Sequence, residues 1–377
     1  MSLGIYIHIP FCLSKCPYCD FNSKVIDSDL AGEYVKSLLK EIQAFSESQT
    51  ERIFAETIYF GGGTPSILRT SRLGAILETV LSSFEVKSDA EISLEVNPGT
   101  LTKGKVKKLR NLGFNRASLG VQSFRDEELK ILGRTHTSRQ ALKSYRMLKE
   151  CLNNLSLDLI FGIPGQSLKT WRENLNMALK LRPEHLSVYS LTIEEGTPFY
   201  YLWKQGELGL PDEEEVRKMY LEGINLLKAQ GYRQYELSNF ACKGFECQHN
   251  LRYWQGKEYI GFGAGAHSYF QGVRWGNIRG IKEYVELSEK NSLLIDFRER
   301  LTESQKINEF ILLGLRMTEG IDLKKLKEDL NFDLEKEKKV EISELINVRF
   351  LKRGKDNLRL TRKGILVADS IIQKLCP

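Results

Sequence analysis

IYIHIPFCLSKCPYCDFNS, Ile5 to Ser23, decides how the rest of the chain is read. Ile5, Ile7 and Ile9 alternate with Tyr6, His8 and Pro10, the period of two that a β-strand imposes on its two faces. Directly behind this strand come Cys12, Cys16 and Cys19 in a C-x3-C-x2-C array. Three closely spaced thiolates can converge on a soft metal centre, and thiolates favour zinc, copper(I) or iron–sulfur clusters. A structural zinc closes its shell with a fourth Cys or His, whereas Asp20, Phe21 and Asn22 offer no soft ligand. A cluster with one open iron is the more economical expectation; zinc completed by a distant His is the alternative.

A chain of 377 residues exceeds the usual single domain, so a large core with an appendage is expected. Its 41% hydrophobic and 28% charged residues are ordinary for a globular protein. No apolar run reaches the 18 residues of a membrane span. The start, MSLGIYIHIPF, lacks the basic segment of a secretory signal. Seven cysteines, three of them crowded together, make a poor disulfide framework and point to a reducing compartment, the cytoplasm. A net charge of +6 suits a small anionic ligand as well as a nucleic acid and decides neither.

Strand-like runs recur at 4–11, 57–60, 91–96, 116–121, 155–161 and 185–193, with helical patterns at 34–45, 73–81, 139–148 and 171–181 between them. Six such units of about 30 residues predict a parallel α/β assembly, a partial (β/α)6 barrel like an opened TIM barrel. An open doubly wound sheet is the alternative, and both architectures keep their chemistry at the carboxyl ends of the strands. The polar and glycine-rich residues fall there: Gly61-Gly62-Gly63-Thr64-Pro65, then Glu95, Gln122 and Asp158. Three glycines let backbone approach a ligand, though alone such a run is as often a plain turn. Glu95 could equally be an ordinary strand-end charge, while Asp158 lies in so apolar a run that it needs a polar partner.

A helix is predicted from Asp212, its N-cap, to about Gln230, and Gly231 ends it. Beyond an extended segment at 232–241 lies an unusual loop, Cys242 to Trp254, carrying Cys247, His249, Arg252, Tyr253 and Trp254. Its bland reading makes Trp254 a core plug and His249 a loop anchor; clustering of such residues in a loop also suits ligand binding. Helical patterns at 304–315 and 323–330, a charged hairpin at 350–364 and a last helix at 365–375 complete the chain.

YIHIPFC-x3-C-x2-C with YFGGGTPS resembles the radical S-adenosylmethionine (radical SAM) superfamily, and within it the oxygen-independent coproporphyrinogen III oxidase-like family. HNLRYW, His249 to Trp254, resembles the signature of that family's haem-chaperone branch. The resemblance implies a [4Fe-4S] cluster on Cys12, Cys16 and Cys19, with S-adenosylmethionine on the fourth iron. It implies contacts to that cofactor from Tyr6, Tyr18, Gly62, Gly63, Thr64, Glu95, Gln122, Arg134 and Asp158. Glu95 would meet the ammonium group. His249 would be the axial ligand to haem, Cys247 a second candidate, Arg252 a partner for the propionates, and His267 in the loop Gly261–His267 a weaker haem or cofactor contact.

Residues 1–210 would form the barrel, 211–300 an extension carrying the haem and cofactor loops, and 301–377 a winged-helix-like domain covering the barrel mouth rather than binding nucleic acid. The expected partners are haem, an acceptor protein for which the respiratory chain is a candidate, and a cellular reductant if the cofactor is turned over. The rival expectation is an enzyme, coproporphyrinogen III oxidase or another tetrapyrrole-directed relative. Two departures oppose it: oxidases have a fourth cysteine where this chain has Phe21, and they carry an amino-terminal extension.

Overall fold

A computed structural model describes residues 2–377. Six strands follow one another as parallel neighbours: β1 (Ser2–Ile9), β2 (Phe54–Gly62), β3 (Glu85–Val96), β4 (Arg116–Gln122), β5 (Asn154–Phe161) and β6 (His185–Ser190). Their order in space is their order in sequence, as right-handed crossover helices produce. The sheet continues at both ends. β7 (Asn239–Ala241) joins β6 antiparallel, and β8 (Tyr259–Phe262) returns parallel to β1 on its free side. β9 (His267–Phe270), β10 (Val273–Asn277) and β11 (Ile295–Arg300) extend that side antiparallel. With Arg233–Gln234 paired antiparallel to β7, the twelve-stranded order is linear and its two end strands do not pair, so the barrel is partial.

The period-two pattern explains which face is which. Ile5, Ile7, Ile9, Ile58, Phe60, Leu94, Leu119 and Leu157 lie in one buried core with Leu38, Ile42, Leu77, Leu109 and Trp171 of the covering helices. The intervening residues on the concave face are polar or aromatic: Tyr6, Tyr59, Glu95, Ser118 and Asp158. Core and chemistry are thus separated by a single residue step. Helices begin where side-chain oxygens cap them, with reciprocal capping boxes at Thr137, Ser167 and Thr302 and a single cap at Asp212.

Three features differ from the sequence expectations. The stretch Tyr259–Phe262 is a seventh parallel strand, its alternation too short to stand out beside the glycines that follow. Within the stretch expected as a loop, Gln248–Trp254 is a helix, packed beneath β2. Lys103–Leu112 is a helix whose apolar face rests on only Val106 and Leu109, too sparse a pattern to read. At the carboxyl end a second core gathers Ile311, Leu315, Leu326, Leu345, Leu358 and Ile371. Its hairpin pairs Leu351–Arg353 with Asn357–Leu360 antiparallel, the wing expected from the sequence. Among the described residues no helix is long and apolar enough to cross a membrane.

Candidate functional site

β1 delivers the cysteines. After Pro10, Phe11–Cys12 pairs in parallel with Lys24–Val25 and closes the intervening residues into a loop. The loop is tied down from three sides. Lys15 Nζ donates to the carbonyls of Phe21 and Ser23, His8 Nε2 meets Asn22 O at 2.9 Å, and Phe199 N–H donates to Pro17 O at 3.0 Å. Asn22 Nδ2 donates in turn to Ala264 O and Arg279 O, each at 2.9 Å, so the glycine-rich loop Gly261–His267 helps buttress the cysteine loop. Cys12, Cys16 and Cys19 are half-buried, unpaired and line one pocket of about 370 Å3. That volume suits a small-molecule cofactor. Three thiols around one shared space suit a cluster in which each holds a different iron.

The same pocket gathers most of the other expected residues: Tyr18, Gly62, Gly63, Thr64, Glu95, Gln122, Arg134 and Asp158. Gly62 takes φ +109°, a left-handed conformation, and a Cβ on Gly63 would lie 2.7 Å from Phe11 O, so neither position accepts a side chain. Gln122 also has positive φ, 65°, at a register shift between β4 and β5 that turns its side chain to the rim. A relay spans two of the thiols. Arg134 donates to Cys16 Sγ at 3.7 Å and to Asn97 Oδ1 at 2.7 Å; Asn97 Nδ2 donates to Thr64 Oγ1 at 2.7 Å; Thr64 Oγ1 donates to Cys12 Sγ at 3.5 Å. The relay thus ties both sulfurs to the polar wall of the pocket.

Glu95 accepts from Tyr59 Oη at 2.9 Å and from Gly62 N–H at 3.1 Å. It touches pocket solvent, yet burial pushes its carboxyl up to about 7, with the charge of Asp158 adding to the effect. Asp158 accepts from Ser118 at 2.8 Å and Ser156 at 3.2 Å, the polar partners its apolar strand demanded. Carboxylates and a guanidinium side by side can hold a ligand bearing both an ammonium and a carboxylate.

Sequence reasoning missed Tyr59, Asn97, Arg116 and Tyr189, which also line the pocket. Their signal was present, since Tyr59 and Arg116 share the inward register of Glu95, but one polar residue in an apolar strand rarely announces a ligand. Arg116 is 1% exposed, and its Nε and Nη1 have no hydrogen-bond partner, with Glu91 the nearest carboxylate at 3.9 Å.

Other expected residues lie elsewhere. Tyr6 is not in the pocket lining; its ring stacks on Tyr59 and its hydroxyl meets His8 Nδ1 at 3.0 Å. His249 lies deeper in the barrel, 1% exposed, with Nδ1 on Thr57 Oγ1 and Nε2 on Tyr253 Oη, both at 2.8 Å. With both nitrogens engaged and its pKa pushed down to about 3, chiefly by burial, it is a neutral anchor with no free lone pair for iron. Cys247 is fully buried beside Glu91, its thiol pushed up to about 12 by burial, so it holds its proton.

Arg252 is likewise committed, bonding Glu56 and the carbonyls of Ser2 and Glu258. Gly261–His267 does not line the pocket, and His267 is exposed against Phe297 at the sheet's extended side. The helix explains these departures: a residue every 100° turns His249 and Arg252 inward and ties them off.

The family model described as Radical SAM superfamily matches residues 6–178, and that described as HemN C-terminal domain matches 301–367. The chain is 39% identical to "Heme chaperone HemW" of Bacillus subtilis (strain 168), covering 97% of each protein. It is 41% identical to that of Escherichia coli (strain K12), covering 70% of this chain and 69% of the relative. With the mitochondrial "Radical S-adenosyl methionine domain-containing protein 1" of Danio rerio it shares 35% identity, covering 99% of this chain and 86% of the relative. Among solved structures, coproporphyrinogen III oxidase (HemN) from Escherichia coli superposes with a TM-score of 0.86 over 100% of this chain and 90% of that one, at 22% identity, a likeness of fold. This chain belongs to the HemW family of the radical SAM superfamily.

Proposed function

We propose that this protein is a haem chaperone: it binds haem, holds a [4Fe-4S] cluster and S-adenosylmethionine, and passes haem to an acceptor protein. The carrying observation is the single pocket that joins three free thiols to Gly62–Thr64, Glu95, Arg134 and Asp158, in a chain related over its whole length to proteins named haem chaperones. Cys12, Cys16 and Cys19 would hold the cluster, whose bound form supplies a reducible centre with one iron free for a ligand. Glu95 and Asp158 would face the ammonium of S-adenosylmethionine, Arg134 its carboxylate, and Gly62–Gly63 would let the ligand approach backbone closely.

An ammonium beside Glu95 favours its ionised form, so binding should release protons near neutral pH. Tyr18, between Cys16 and Arg134, would shield the cluster's flank. Seven unpaired cysteines support a cytoplasmic location. No nucleic-acid partner is proposed; a reductant is required only if the cofactor is turned over.

Anaerobic reconstitution followed by parallel assays tests this. About four irons and four sulfides per chain are expected for a filled site, with haem bound near one per chain and coproporphyrinogen III left intact. Zinc that persists without a cluster would sink the cluster assignment. Conversion of coproporphyrinogen III to protoporphyrinogen IX would replace the chaperone with the enzyme.

A further inference from the structure

The extension of the sheet, β8 to β11, has two faces, and period two divides its side chains between them. Tyr259, Tyr269 and Arg274 face the carboxyl-terminal unit, whereas Ile260, Phe270, Val273 and Trp275 line a cleft of about 490 Å3 against the helix Ser28–Glu47. This cleft shares no lining residue with the thiol-lined pocket. Its walls are apolar. Phe45 packs edge-on against Phe262 and Phe270, with ring centroids 5.6 and 6.3 Å apart, and Trp275, Leu294 and Ile295 complete the lining.

The charge of the cleft is one-sided. Across the β10–β11 ladder Arg298 lies opposite Trp275 and Arg300 opposite Val273, so both guanidinium groups stand on the cleft's face of the sheet. Both are exposed. Glu299, between them in sequence, turns to the other face and pairs with Arg274 at 3.8 Å. Among the described residues neither Arg298 nor Arg300 has a carboxylate within 4.0 Å. The lining carboxyl Glu41 is already engaged, accepting from Gly263 N–H, Asn277 and Tyr284.

We propose that this cleft binds an acyl carboxylate, its chain along the aromatic wall and its carboxylate on Arg298 and Arg300. The proposal goes beyond the haem-chaperone reading and does not depend on it. Small-molecule sites of roughly 300–1,000 Å3 are mostly apolar with a few placed polar groups, and this cleft has that size and make-up. Guanidinium groups match a carboxylate in a planar fork, and here no internal carboxylate must first be displaced. The rings of Phe262 and Phe270 stand at 74° and 68° to that of Phe45, an angled wall that a flexible chain follows better than a flat ring system. A small inorganic anion would meet the arginines but leave the apolar wall unused.

The test is a calorimetric titration of the full, haem-free chain with dodecanoate, dodecanol and inorganic phosphate, accompanied by tryptophan emission. The variants are Arg298→Gln with Arg300→Gln on the end strand, Ala44→Trp from an exposed helix position, and Trp275→Phe. Cluster content after reconstitution reports that each is folded. Wild type should bind one dodecanoate per chain, at least tenfold more tightly than dodecanol or phosphate, with an emission change that Trp275→Phe abolishes. The double arginine variant should lose the preference for dodecanoate over dodecanol, and Ala44→Trp should weaken dodecanoate at least tenfold. If wild type shows no saturable binding of dodecanoate, or Ala44→Trp binds it equally well, the cleft is not a ligand site. If the double variant keeps the preference, or phosphate binds as tightly as dodecanoate, the acyl carboxylate assignment is overturned. The haem-chaperone reading stands under each of these outcomes.

Discussion

At the rim of the barrel Cys12, Cys16 and Cys19 stand half-buried around open space, while deeper in the same barrel Cys247 and His249 are sealed. Both regions combine sulfur, carboxylate, guanidinium and aromatic side chains. What separates them is saturation. Deep in the barrel, His249 is bonded at both nitrogens, the two terminal nitrogens of Arg252 are committed to Glu56 and two carbonyls, leaving only its Nε without a partner, and Cys247 keeps its proton. At the rim, donors converge on sulfur without a closing partner. A residue type therefore says little about function until its remaining hydrogen-bond capacity is counted.

The largest expected effect tests the open side. Replacing Cys12, Cys16 or Cys19 with Ala should abolish the cluster, read as loss of iron and sulfide after anaerobic reconstitution. Retention of a full cluster in any single variant would erase the distinction between these thiols and Cys247. Next in size is Glu95→Gln. Removing one charge of a desolvated pair costs roughly 2–5 kcal/mol, so S-adenosylmethionine affinity measured calorimetrically on cluster-loaded protein should fall by thirtyfold or more. Unchanged affinity would remove Glu95 from the site.

A third prediction uses pH. Burial pushes Glu95 and Glu41 each up to about 7, from an ordinary 4.5. Glu41 sits behind the second glycine loop, accepting from Gly263 N–H, Asn277 and Tyr284. Each carboxyl binds its proton more tightly in the folded chain, so its stabilising contribution is full below pH 4.5 and is lost as pH rises toward 7. Allowing for pocket solvent at Glu95, the loss between pH 5 and 8 is about 2 kcal/mol per group. Denaturant titrations of cofactor-free protein should show wild type falling in stability over this window, and Glu95→Gln falling about half as steeply. An identical slope in both proteins would mean that Glu95 titrates normally.

The sealed side has its own test. His249→Ala strands the hydroxyls of Thr57 and Tyr253, and a buried unsatisfied polar group costs about 1–3 kcal/mol. A clear fall in stability should therefore appear. The iron ligation of bound haem should keep its wild-type Soret position, since the histidine has no free nitrogen. A shifted Soret band with unchanged stability would reverse the assignment.

The parts legible in the sequence were those in which one residue type had one physical use. Alternating isoleucines gave β1, and the thiols of Cys12, Cys16 and Cys19 were readable because nothing nearby could close a structural site. Glu95 and Asp158 could be ordered along strand ends because period two fixes which face each occupies, whereas Gln122 reaches the rim through a register shift that period two does not foresee. His249 was not legible in this way. Its imidazole suits a metal as well as an anchor, and the choice depends on Thr57, 192 positions away. The seventh parallel strand was hidden for a similar reason: four residues, Tyr259 to Phe262, gain their conformation from pairing with Gly4 to Ile7 rather than from local preference.

The smallest expected effect concerns Asn97, which no motif marks and which joins Arg134 to Thr64. Each of those two residues touches a different thiol, so Asn97 holds the donors of the open site in place without touching sulfur itself. Asn97→Ala removes an acceptor 2.7 Å from Arg134 and a donor 2.7 Å from Thr64. Both partners keep other bonds, Arg134 to Gly120 O and Thr64 through its N–H to Phe11 O, so neither is stranded. The expected cost is about 1 kcal/mol, the net worth of an ordinary hydrogen bond, or roughly fivefold in S-adenosylmethionine affinity. Cluster content should stay near wild type. A positioning role also requires coupling: Asn97→Ala and Arg134→Lys together should cost less than the sum of the two alone, by at least 0.5 kcal/mol as contacting residues commonly show. Additive losses would show that Arg134 is held by its other contacts. The rim would then owe its order to backbone constraints at Gly62 and Gly63 rather than to the side-chain relay.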